Sequence, residues 1–159
     1  MTLDFSKYLG VKAENIEAAK PLPGGHYHAK IISWKGAERD YKNGEPVVPV
    51  CEITCRTTAP DDDVEVEDLP ASGGVGVLLT VDYRLVAPNS NGKVEGGGQG
   101  ALRALGENIG IDTRGLDLTD ILDAMREQDV LVFCDPPRED KRNAGIYYTN
   151  PRKILPVSS

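Results

Sequence analysis

Apolar and polar positions alternate with a period of two through much of this chain, and the alternation predicts five β-strands rather than a helical bundle. The first, over roughly residues 25–35, follows Leu22-Pro-Gly-Gly and sets Tyr27, Ala29, Ile31 and Ser33 on one face and His28, Lys30, Ile32 and Trp34 on the other. Apolar bulk on both faces suits a central strand or one of a small barrel. A polar loop over 36–46 contains the turn pair Asn43-Gly44 and predicts a hairpin into a second strand, 47–58. There Cys51, Ile53 and Cys55 face one way and Glu52, Thr54 and Arg56 the other, as in a half-exposed strand. The third strand, 75–86, is the clearest: Val75, Val77, Leu79, Val81, Tyr83 and Leu85 share a face. Residues 129–135 and 144–150 read as the fourth and fifth strands, with Pro151 ending the fifth or marking an edge and 154–157 packing back.

Helical spacing appears in two places between the third and fourth strands. Leu102, Leu105 and Ile109 follow the glycine-rich run 95–100, and Ile121, Leu122 and Met125 follow Thr119, expected as an N-cap. The glycine run lacks both phosphate-loop spacings, so a flexible hinge is expected there rather than a nucleotide site. Residues 1–20 read as an N-terminal arm or short helix, capped at Asp4 or Ser6, with Leu9, Val11 and Ile16 as its apolar contacts. Residues 21–159 then form one domain, a size that supports a single core.

Composition changes this picture little, but charge does. The 159 residues are 40% hydrophobic and 27% charged, ordinary for a globular protein, and 17 Gly with 11 Pro suit strands and loops. No run is long and apolar enough for a membrane span, and no processed leader is expected, which predicts a cytosolic or virion protein. The net charge is −7, yet the run 61–68 alone carries six carboxylates and 112–129 a further net −4, leaving the rest of the chain at +3. A local basic surface therefore remains available, and local field governs binding. The acidic run itself is expected to be a solvated loop without an apolar anchor; it lacks the ligand alternation of a calcium loop. An acidic decoy for a DNA channel is a further reading of it.

Cys51, Cys55 and Cys134 have no framework spacing. On one strand Cys51 and Cys55 would stand about 13 Å apart, too far to bridge, so three buried thiols are expected. His26 and His28 share a strand face and could offer two metal nitrogens, but no further ligand is evident, and satisfied or exposed histidines are expected instead. No nucleophile motif occurs. Neither catalysis nor a cofactor is predicted.

Five strands with a helical insertion between the third and fourth follow the element order of the OB-fold, a five-stranded Greek-key barrel. The fold class expected is mainly β, OB-fold-like, with two short helices inserted between strands 3 and 4. Ligands of such barrels meet strands two and three and the loops joining strands 1–2 and 4–5. The first loop carries Arg39, Tyr41 and Lys42 with Lys35 at its entrance; the second carries Arg138, Lys141 and Arg142 with Tyr147 and Tyr148 just beyond. Lys30 and Trp34 on the first strand, with Arg56 and Arg84 on the next two, complete the expected nucleic-acid-binding set. Cations tracking a phosphate backbone while aromatic rings stack on bases is how single strands are held without strong sequence preference. Glu38, Asp40, Glu139 and Asp140 dilute both loops.

The segments Leu22-Pro-Gly-Gly-His-Tyr-His-Ala-Lys-Ile, Val50-Cys-Glu-Ile-Thr, Ala101-Leu-Arg-Ala-Leu-Gly and Val130-Leu-Val-Phe carry a resemblance across most of 21–155. In them the chain resembles the small phage-encoded OB-fold single-stranded DNA-binding proteins of replication and recombination modules. The resemblance implies a non-catalytic, homo-oligomeric DNA-binding protein of the host cytoplasm, with replication or recombination proteins as partners. Many single-strand binders end in an acidic docking tail, whereas this chain ends Pro-Val-Ser-Ser, so recruitment of partners through such a tail is not expected unless the internal acidic loop substitutes. The competing expectation is a virion or assembly protein of the capsid cement or decoration type, acting through protein contacts.

Overall fold

The computed structural model describes residues 4–16, 20–42 and 44–157. Asn43 of the expected turn pair lies outside them. The chain is mainly β. Strands β1 (Gly25–Arg39), β2 (Val48–Pro60), β3 (Leu78–Arg84), β4 (Asp129–Glu139) and β5 (Tyr147–Pro156) form one antiparallel sheet in the order β3-β2-β1-β4-β5. Helix α1 (Ser6–Leu9) precedes the sheet, and α2 (Gly97–Asn108) and α3 (Leu118–Met125) interrupt the strand series between β3 and β4.

β1 is the longest strand and the pivot of the sheet. Tyr27–Arg39 pairs with β2, while Gly25–Lys30 pairs with β4. Tyr27, Ala29 and Ile31 point into the core as the alternation predicts. A register shift between Ile31 and Ser33 then inserts one residue, which reverses the face of everything after it. Ser33 is exposed as a result, and Trp34 packs against the core.

The sheet is open, and its two edges curl toward each other. Val77, just ahead of β3, shares a depression with Tyr147–Thr149 at the start of β5. Near the other end, the Tyr83 phenol on β3 hydrogen-bonds the Ile154 backbone on β5. The edges thus run side by side in the same direction without a backbone ladder. Inside the curl lie Ile53, Cys55, Leu79, Val81, Val130, Val132 and Ile154, capped by Leu102 and Leu105 of α2 and Ile121, Leu122 and Met125 of α3.

Several local expectations change once the chain is folded. The glycine run is not a hinge, because Gly97–Gly100 form the first turn of α2. A Cβ on Gly98 would stand 2.3 Å from the Arg84 carbonyl oxygen, so helix and strand touch backbone to backbone there. Gln99 seals the junction: its amide donates to the Val86 carbonyl at 2.7 Å and accepts the Val86 N–H at 3.0 Å. The cap of α3 is Asp117 rather than Thr119, in a reciprocal capping box with Asp120.

β5 does not stop at Pro151. It continues to Pro156, because Pro151 lies at a register shift of an edge strand, where its missing N–H goes unused. The apolar arm residues make no core: Leu9 is 80% and Ile16 65% exposed, and Val11 is exposed too. At its start Asp4 accepts hydrogen bonds from the Ser6 backbone and hydroxyl. The three cysteines are free, buried thiols as expected, and burial pushes Cys55 and Cys134 up to about 12.

Candidate functional site

The β4–β5 hairpin concentrates unpaired positive charge. Pro136 and Pro137 sit in a register shift between Asp135 and Arg138, after which the ladder resumes at Arg138–Tyr148 and Glu139–Tyr147, past the last pairing of β4 with β1 at Cys134. The turn is organised by Asp140. Its carboxylate accepts the Arg142 N–H at 2.8 Å and the Tyr148 hydroxyl at 3.1 Å, while its own N–H donates to the Ile146 carbonyl at 2.7 Å. The Arg142 N–H holds the Asp140 carboxyl below the usual carboxylate range, and the hydrogen bond to Asp140, with that group's charge behind it, pushes the Tyr148 phenol up. Glu139 does the same to Tyr147 through a side-chain hydrogen bond.

Both carboxylates of this loop are therefore spoken for by the turn and the tyrosines. Arg138, Lys141 and Arg142 make no ion pair among the described residues. With Glu139, Asp140 and Tyr148 they line a cleft of about 390 Å³. Tyr148 also borders a second, more apolar depression of about 330 Å³, formed with Pro21, Pro70, Val77 and Tyr147 and rimmed by Lys20. Tyr147 and Tyr148 are 47% and 49% exposed, so neither ring is consumed by the core. A cationic cleft adjoining an apolar slot suits a ligand with phosphate on one side and a flat ring on the other.

The β1–β2 end is arranged differently. Arg39 reaches back across β2 to Glu52 and on to Asp82 of β3, the latter at 2.9 Å, and Lys35 lies 3.4 Å from Glu52. The Arg84 guanidinium stacks on Tyr41 at 4.5 Å from the ring centre. Lys42 takes a left-handed backbone, φ 55°, with its N–H on Asp40 at 2.9 Å. The cations of this loop are thus largely engaged within the protein.

The remaining expected residues scatter. Lys30 pairs with Asp129 at 3.1 Å. The Trp34 indole N–H donates to Asp123 of α3 at 2.9 Å, which ties the ring to the helical side of the sheet. Arg56 is exposed on the outer face between Lys30 and Leu78, without an ion pair among the described residues. Val77, just ahead of β3, borders the depression beside the β4–β5 cleft, and Arg84 ends β3, so the seven residues of that strand, about 20 Å, separate the depression from the Arg84–Tyr41 stack.

No family model matches this chain. No curated protein matches it either.

Other titratable groups serve the frame. His26 Nδ1 lies 2.7 Å from Asp63, and His28 Nε2 lies 3.7 Å from Asp61, so two histidines clasp the acidic run onto β1. That run is not without an apolar anchor: Val64 is buried against Gly25. Among the described residues no group of three or more His, Cys, Asp or Glu could hold a metal. No helix among them is long and apolar enough to cross a membrane.

Sequence reasoning missed Asp140 as the organiser of the basic turn and Glu52 as a buried acceptor. The spacing Asp140-x-Arg142, an aspartate two residues before a backbone N–H it can accept, is a signal for the first. Glu52 leaves no such trace, since strand alternation alone places it outside.

Proposed function

We propose that this protein binds single-stranded DNA without catalysis, through an OB-like sheet whose β4–β5 hairpin supplies the principal contacts. One observation carries the proposal: in a chain of net charge −7, Arg138, Lys141 and Arg142 have no ion pair among the described residues and surround a cleft bordered by exposed Tyr148. Cations left free at a cost in self-repulsion, beside exposed rings, are what an anionic, base-bearing polymer would recognise. The strand order and the approach of the β3 and β5 edges support the OB-like assignment. Its phage replication or recombination setting, its place in the host cytoplasm, its homo-oligomeric state and its replication or recombination partners rest on the resemblance of residues 21–155.

The test is fluorescence anisotropy with labelled oligo-dT at two salt concentrations. The wild type should bind and weaken with salt, and the Lys141→Gln/Arg142→Gln variant should bind less tightly, with a salt slope smaller by about 1.4, at ~0.7 per lost phosphate contact on a single strand. Absence of binding at low salt sinks the proposal.

A second reading, a virion or assembly protein, is favoured by a different observation. Phe5, Tyr8, Leu9, Val11 and Ile16 are all exposed on one short arm, an apolar surface suited to a protein neighbour. Under that reading Phe5→Asp/Leu9→Asp would abolish self-association or docking and leave oligonucleotide binding absent in every variant.

A further inference from the structure

The outer face of β2 and β3 between the two basic ends holds three cross-strand pairs: Arg56 with Leu78, Thr54 with Thr80, and Glu52 with Asp82. The last is a pair of like charges placed directly opposite each other, an arrangement that is destabilising by itself and repels a polyanion. Glu52 is also only 8% exposed, so its charge demands a partner. Arg39 meets both carboxylates at once, its guanidinium NH2 on Glu52 and its Nε on Asp82, and Lys35 adds a second cation on Glu52. Arg39 reaches them from its place in the β1–β2 ladder opposite Val48, and Tyr41, two residues on, lies under the Arg84 guanidinium.

We infer that Arg39 is a positioning residue, not a phosphate contact: it cancels Glu52 and Asp82 so that a bound strand can pass from the β4–β5 cleft to the Arg84–Tyr41 stack without crossing bare carboxylates. The inference rests on the proposed single-stranded DNA binding. Among the described residues Arg39 is the one cation of this face that meets both acids, and without it Asp82 loses its ion pair and Glu52 keeps only Lys35, so both carboxylates stand in the strand's path. The Thr54 and Thr80 hydroxyls, 3.1 Å apart, and the 56% exposed Leu78 then offer a neutral, partly apolar track.

Direct contact and charge cancellation differ in what restores binding. A residue that touches phosphate takes its share of the salt slope with it, whereas a cancelling residue becomes dispensable once the acids it covers are gone. The experiment measures oligo-dT binding against salt for the wild type, Arg39→Gln, Arg39→Gln/Asp82→Asn and Arg39→Gln/Glu52→Gln/Asp82→Asn, with each variant's fold checked by circular dichroism. The expected result is an affinity loss of about tenfold for Arg39→Gln and recovery to within about twofold of wild type in the triple variant. Because Arg39→Gln alone weakens the pairing of a buried carboxylate and can fail to fold, the triple variant decides: it keeps the shape of the Arg39, Glu52 and Asp82 contacts and removes the charge of all three.

Wild-type affinity in the triple variant supports cancellation. A triple variant as weak as a loss of one phosphate contact, with the slope reduced by about 0.7, makes Arg39 a direct contact and overturns the inference while DNA binding stands. An Arg39→Gln protein that folds and binds as wild type overturns it too. A wild type that binds no DNA removes the inference together with the function beneath it.

Discussion

Gly98→Ala and Gly100→Ala place the same substitution twice in the first turn of α2, and the structure assigns them opposite signs. An exposed helical Gly→Ala exchange ordinarily stabilises by about 1 kcal/mol, because alanine loses less backbone entropy on folding. At Gly100 nothing stands within 4 Å of the new Cβ, so that gain should appear in full. At Gly98 the Cβ would lie 2.3 Å from the Arg84 oxygen and 2.9 Å from its carbonyl carbon. Those are backbone atoms of a strand residue paired with Val50, so they have no rotamer to change. Helix and strand must separate, and the double amide link from Gln99 to Val86 is stretched with them. Overpacking of this kind costs ~1–3 kcal/mol, and the loosened hydrogen bonds add about 1 kcal/mol. After the propensity gain is subtracted, Gly98→Ala should destabilise by about 2 kcal/mol, or roughly 4–8 °C in Tm for a domain of this size, while Gly100→Ala should rise by roughly 2–4 °C. Urea or thermal unfolding followed by circular dichroism, with fluorescence of the single Trp34 as a second probe, reads both. Gly98→Ala as stable as Gly100→Ala would refute the close approach of α2 to β3.

Three further outcomes follow from burial. Val64→Ala should cost about 1–2 kcal/mol and free the acidic connection to proteolysis, because that side chain is its anchor against Gly25; an unchanged urea midpoint would argue that the run is loose. Native protein should leave Ellman's reagent unreacted at neutral pH and titrate three thiols once unfolded, since all three cysteines are buried. Stability should also fall in alkali. Cys55 and Cys134 stay protonated in the folded state up to about 12, against 9.0 for an ordinary thiol, so above 9.0 the unfolded chain releases protons that the folded chain retains. The contribution is complete below that pH and is lost as pH rises through the window; Cys55→Ala/Cys134→Ala should flatten the alkaline limb.

Strand identity was legible in the sequence because burial on one face imposes a period of two, and β3 shows it: Leu79 and Val81 are buried while Leu78 opposite them is exposed. Local chemistry also placed the two helices between the third and fourth strands, and the spacing of Cys51 and Cys55 ruled out a bridge between them. The face of Trp34, by contrast, depended on one inserted residue at Ile32, which alternation cannot reveal because a register shift is set by the partner strand. The glycine run read as a hinge because its restraint, the Arg84 backbone, is contributed from outside the segment. The same distinction runs through the basic loops. Their sequences offer similar cations beside similar acids, yet Arg39 and Lys35 are covered by Glu52 and Asp82 from neighbouring strands, while Arg138, Lys141 and Arg142 make no ion pair among the described residues, Asp140 being bonded inward to its own turn. Composition and periodicity determined which residues lie in strands and which cations lie in loops; which of those cations remain available was decided only by tertiary structure, since ion pairing depends on register across strands far apart in the chain.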